Sequence, residues 1–188
     1  MKPRACLIIG AALVGALCTP DARATQVLQL DTRALTLGSS DIVIGQVEAV
    51  TARWNATRTK IVTDVTLRVS ESLKGERQRI VLTQLGGTVG DVRYTVPGCA
   101  VFTPGEEALL FVWRDSQGRA QVNGLAQGKF EIRRDPASGE RLVQHAVPGL
   151  AVRDARRLDL IRPGEPASSL RLADLVREIR RTLDEAGR

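Results

Sequence analysis

Aromatic side chains make up only 3% of the 188 residues, histidine occurs once and cysteine three times. Each scarcity closes off a class of chemistry. His145 is the single histidine and no His-Glu-x-x-His or Cys-x-x-Cys spacing occurs. A zinc site therefore lacks donors, and neither a metal nor a cofactor is expected. A small barrel that grips nucleic acid stacks bases on exposed aromatics interleaved with lysine and arginine. Here Phe102, Phe111 and Phe130 are expected in the core. That leaves Trp54 beside Arg53 and Arg58, and Tyr94 beside Arg93, so nucleic acid is not the expected partner. No Gly-x-Ser-x-Gly elbow is present. Cys99 and His145 read as two unrelated residues, because nothing orders a third group near them. Glu106 and Glu107 are adjacent and so point to opposite faces of a strand. Asp64 and Arg68 share a face, which predicts a surface ion pair of little energetic weight. The Gly86–Gly90 stretch lacks the lysine and following helix of a phosphate-binding loop. Asn55-Ala56-Thr57 matches a glycosylation acceptor, a three-residue pattern that chance often produces. The chain reads as non-enzymatic.

Long apolar runs are also missing. The run from Ala5 to Leu17 is too short for a spanning helix. Preceded by Lys2 and Arg4 and followed by Ala22-Arg23-Ala24, it has the layout of a secretory signal peptide cut after Ala24. A secreted or periplasmic protein is expected. Removing 24 of 188 residues leaves 164, enough for one domain with a sizeable core. Losing Lys2, Arg4 and Arg23 against Asp21 lowers the net charge from +6 to about +4, an excess spread along the chain. Cys6 and Cys18 leave with the signal. Cys99 then stands alone, either buried and inert or paired with another chain.

What is abundant is alternation. In Ile61–Gly75, Ile61, Val65, Leu67, Val69 and Leu73 share one parity, while Val62, Asp64, Thr66, Arg68, Ser70 and Ser72 share the other. This predicts a long strand, apolar on one face and bent or twisted as barrel strands are. Ile42–Val50 reads as a strand with an apolar start. Val47 and Ala49 face in, and Gly45 marks a bulge or bend. Thr51–Lys60 reads as a polar connection. Gln78–Leu85 and Val92–Val96 read as strands, with Gly86–Gly90 as a flexible loop between them. Glu107–Trp113 is apolar on both faces, the mark of a buried strand. Ala120–Leu125 and Gly128–Arg133 are expected to pair; in the second, Phe130 and Ile132 face in and Lys129, Glu131 and Arg133 face out. A weak strand follows at Arg141–His145. Pro148–Pro166 is polar and expected to wrap the surface. Leu172, Leu175, Val176, Ile179 and Leu183 recur at helical spacing, with Ser168 or Ser169 as cap. The expected organisation is a signal peptide over 1–24, a β-barrel domain over 25–147, and a wrapping segment with the helix over 148–188.

Three stretches together resemble a known family. Ser40-Asp41-Ile42-Val43-Ile44-Gly45-Gln46-Val47 resembles the first strand of the amino-terminal domain of tissue inhibitors of metalloproteinases and related netrin-type modules. Thr66-Leu67-Arg68-Val69-Ser70-Glu71-Ser72-Leu73-Lys74-Gly75 is similar to that family's long second strand. Cys99-Ala100-Val101-Phe102, with Gly105 and Leu109-Leu110-Phe111, resembles its cysteine-x-valine segment and the strand after it. The resemblance spans roughly Ser40–Trp113. It implies an oligonucleotide/oligosaccharide-binding-type barrel of five closed strands. In that family an amino-terminal cysteine, tied by a disulfide to the cysteine-x-valine segment, lays its free amine and carbonyl on a protease zinc. Cys99 matches the second position, but the expected mature terminus is Thr25, so no chelating residue carries over.

The reading that results is mainly β. It is a small closed antiparallel β-barrel with one C-terminal amphipathic helix, exported and binding another protein, with an extracellular metalloprotease as one candidate. A polyanion- or glycan-binding module is the alternative. The expected contact surface is one end of the barrel, where the Arg53–Thr57 loop, the Gly86–Gly90 loop and the Pro97–Pro104 segment meet. Its contact residues are Arg53, Trp54, Gly86, Gly87, Tyr94 and Cys99.

Overall fold

The structure, a computed structural model, describes residues 26–145, 151–153, 160–161 and 170–187. The expected signal segment and Ser168 and Ser169 lie outside them, as does most of the 148–166 stretch. In chain order the elements are β1 (Gln26–Leu28), α1 (Thr32–Gly38), β2 (Asp41–Trp54), β3 (Ile61–Lys74), β4 (Arg79–Leu85), β5 (Gly87–Val89) and β6 (Val92–Tyr94). They continue as β7 (Glu107–Arg114), β8 (Ala120–Val122), a 3-10 turn (Leu125–Gly128), β9 (Lys129–Arg134), β10 (Arg141–Gln144), β11 (Ala151–Arg153), β12 (Leu160–Ile161), β13 (Leu170–Arg171) and α2 (Leu172–Ala186).

Five strands close in the order β7-β2-β3-β4-β8 and back to β7. Every pair is antiparallel except β4–β8. Numbered within the barrel, this is order 1-2-3-5-4-1, a closed Greek-key barrel of the oligonucleotide/oligosaccharide-binding type. The chain is mainly β with a C-terminal helix, as the alternation predicts. All five strands send side chains inward: Val43 and Val47, Val65 and Leu67, Ile80 and Leu82, Ala108, Leu110 and Val112, Ala120 and Val122. Phe102 joins them from the loop before β7.

β2 and β7 are apolar on their backs as well. Ile42, Ile44, Leu109 and Phe111 face outward into a second core closed by Leu35 of α1, Ile132 of β9, Val143 of β10 and Leu172, Leu175 and Ile179 of α2. This explains the apolar start of β2 and the two-faced run in β7. α2 packs back on the barrel through the side chains its spacing marks, with Arg171 at its N-cap and no side-chain cap.

Long strands close a narrow barrel only by bending, and β2 bends at register shifts by Ile42, Ile44 and Val47. At Gly45 a Cβ would lie 2.5 Å from the Arg68 carbonyl, so only glycine permits that approach. The shift between Val47 and Ala49 also reverses parity. Ala49, expected inward, is exposed, and Val50 packs on the barrel core instead.

Several further expectations are corrected. Strand pairing runs to Trp54↔Ile61, so the β2–β3 connection is only 55–60 and Trp54 lies in a strand. Asn55 holds that turn, its Oδ1 accepting from the Thr59 and Lys60 amides at 2.8 and 3.1 Å. Gly86–Gly90 is not a free loop: Gly87–Val89 pairs with Val92–Tyr94 as a two-stranded ribbon. β8 and β9 do not pair with each other. They lie in succession along one edge of β7, at Val112–Arg114 and Glu107–Leu110 respectively. The 3-10 turn separates them, with Leu125 at φ 61. Asp64 pairs with Arg53 at 2.6 Å, not with Arg68, which approaches Glu48 instead.

Candidate functional site

The expected contact residues divide when placed in the barrel. Arg53 and Trp54 are consecutive in β2 and therefore face opposite ways. Arg53 lies opposite Val62 on the outer face and is held by Asp64, which also accepts from Thr83 Oγ1 at 2.9 Å. Its charge is already answered. Trp54 lies opposite Ile61, on the face that carries Thr63 and Val65.

Gly86, Gly87, Tyr94 and Cys99 do come together. They line one cleft of about 330 Å³ between the ends of β3 and β4, the β5–β6 ribbon and the 95–102 segment. Gly87 sits at φ 130, and a Cβ there would meet Thr63 Oγ1 at 2.5 Å and Ala52 at 2.9 Å. Glycine lets the ribbon lie directly on the β2–β3 tip. Thr63 Oγ1 fixes the contact by donating to the Gly86 carbonyl at 2.7 Å.

The opposite wall is the Pro97–Pro104 segment. The Cys99 amide donates to the Val96 carbonyl at 3.2 Å, and the Gly98 carbonyl accepts from Ala126 at 2.8 Å. Phe102 plugs the barrel end. Beneath it lies Lys129, which alternation places outward but the fold leaves only partly exposed. Its Nζ meets Glu106 at 2.6 Å, donates to the Val101 carbonyl, and sits 4.6 Å from the Phe102 ring centroid. The pull on Lys129 is the carboxylate next to its strand, a long-range partner that local alternation cannot register.

The cleft floor is apolar through Val50, Val65 and Phe102. One polar group interrupts it. Gln84, on the inward parity of β4 and only 9% exposed, leaves Nε2 without a hydrogen bond. Buried amides are ordinarily satisfied, so this donor is an exception that calls for a cause. Sequence reasoning missed it, although a glutamine after Ile80 and Leu82 on the inward parity was a visible signal. Arg93 is the only charged residue of the lining. It faces no carboxylate within 4 Å among the described residues; its Nε reaches Thr88 Oγ1 at 3.5 Å. On the outer lip Leu85 and Val101 are 43% and 68% exposed.

Cys99 is a free, half-buried thiol, and burial pushes its pKa up, away from thiolate. His145 does not line the cleft. It stacks on Phe130 at 4.6 Å, and burial lowers its pKa against the raising effect of the Gln127 and Ala126 carbonyls. The two are not brought together as a nucleophile and base. No group of three or more potential metal ligands occurs among the described residues, and no helix of the described residues is long and apolar enough to cross a membrane.

No known family profile matches the chain, and no curated protein matches it.

Proposed function

We propose that this chain is a non-enzymatic binding module, exported from the cell, that docks another protein on the end of the barrel holding the cleft. The observation that carries the reading is the joint placement of an uncommitted buried amide and an exposed apolar lip, Leu85 and Val101, around one opening. A folded protein keeps such surface uncovered chiefly where something else covers it. Trp54 extends the same side of the β2 tip. The resemblance of Ser40–Trp113 to netrin-type modules adds an extracellular metalloprotease to the candidates, but not by zinc chelation through Cys99. The polyanion alternative is less well served. Arg53 is paired with Asp64, and Arg68 and Arg79 both approach Glu48.

The test is affinity capture from culture supernatant with the full chain and with Val101→Asp. A protein retained by the parent and lost from Val101→Asp supports the reading. Capture that Val101→Asp leaves unchanged, or none at all, overturns it.

A further inference from the structure

Resting on that reading, we infer that the cleft between β4, the β5–β6 ribbon and the Val96–Phe102 wall receives the C-terminal end of an extended peptide, its free carboxylate meeting Gln84 and Arg93 and its last side chain lying on Val50, Val65 and Phe102. Four observations converge on this chemistry. Gln84 Nε2 is a buried donor with no acceptor, so an occupant that supplies an oxygen relieves the cost of leaving it unmade. The lining carries one cation, Arg93, and no carboxylate, so negative charge on the occupant is favoured. The floor is apolar, which selects an aliphatic side chain beside that charge. The volume, about 330 Å³, sits at the small end of ligand cavities and suits a chain end rather than a folded surface. Capture of terminal carboxylates by backbone and side-chain donors is an established mode of peptide recognition.

The neutral thiol of Cys99 fits this role as wall. It adds a small, uncharged surface and no competing anion. Gly86 and Gly87 let the rim of the cleft pack close on Thr63, Ala52 and the Tyr94 carbonyl, where a Cβ would intrude.

The experiment uses the folded full chain and two dye-labelled peptides of one sequence ending in Ala-Val-Leu, one with a free C-terminal carboxylate and one amidated. Binding is followed by fluorescence anisotropy. The free acid is expected to bind about tenfold more tightly than the amide. Gln84→Leu is expected to weaken the free acid about tenfold while raising Tm by about 2–4 °C, because it removes an unsatisfied buried amide. Arg93→Gln, on the surface and harmless to folding, is expected to weaken the free acid up to about fivefold and leave the amide unchanged. Equal binding of acid and amide overturns the inference. So does a Gln84→Leu protein that binds normally or melts lower, since that marks Gln84 as a structural strut. Hexanoate competing as well as the peptide overturns the assignment to a peptide end. A captured protein lost from Val101→Asp, with no binding of the free acid, sinks the carboxylate inference alone and leaves the docking module standing.

Discussion

Asp41 joins parts of the chain that lie far apart in sequence through one side chain. Nearly inaccessible at the start of β2, it accepts from Arg77 at 3.0 Å, Arg114 at 3.2 Å and Ser40 at 3.0 Å. It thereby ties β2 to the end of β7 and to the β3–β4 turn. Burial alone would raise its pKa. The hydrogen bonds from Arg77 and Ser40, with the charges of Arg114 and Arg77, outweigh that and hold it below the ordinary 3.8. A carboxyl depressed in the folded state adds stability above its unfolded pKa and surrenders it as pH falls through the folded value. Asp41→Asn should therefore cost about 2 kcal/mol at pH 7, read by urea denaturation. The gap between variant and parent should close as pH drops below 3.8. Nothing local in the sequence marks Asp41 for this work. Its two arginine partners lie 36 and 73 positions away, and alternation speaks only to neighbours two apart.

Elements were legible where the local pattern and the final environment agree. β3, β7 and α2 fall where their periodicities place them, because each buries the face its own residues define. The failures share a cause. Ala49 and Val50 exchange roles because a bulge adds a residue that parity counting cannot see. β8 and β9 read as a hairpin, but both find better edges on β7, a long-range choice that separates them. At Gly45 the sequence did speak: a glycine inside an apolar strand marks a bulge or bend, and a register shift falls between Ile44 and Gly45. Gly45→Val would drive its side chain into the Arg68 carbonyl. It should destabilise by about 3 kcal/mol, more than an exchange at exposed Glu48, as thermal denaturation will report.

For the whole molecule, closure is the decisive and most fragile property. β2 and β3 pair at twelve positions, whereas β4 and β8 meet at the single pair Leu82↔Ala120. The weakest seam thus lies beside the cleft. Amides of β8 and of Gln84–Leu85 should exchange with deuterium about 100-fold faster than those of Val65–Leu67, measured by native-state hydrogen exchange. Equal protection would show a seam as firm as the rest. The barrel itself was readable because five strands in sequence each carry an inward apolar row. The site was half readable: glycines, Tyr94 and Cys99 meet as expected, while Arg53 turns away and Gln84 enters unannounced. Pairing geometry decides those two, and composition is silent on it. The two-sided apolarity of β2 and β7 also carries a hazard. Should α2 detach, the core behind β2 and β7 would lose Leu172, Leu175 and Ile179, and Leu35, Ile132 and Val143 would be left as a partial cover over Ile42, Ile44, Leu109 and Phe111. A damaged carboxyl end would then leave the protein folded but adhesive, prone to clump with its own kind before it ever denatures.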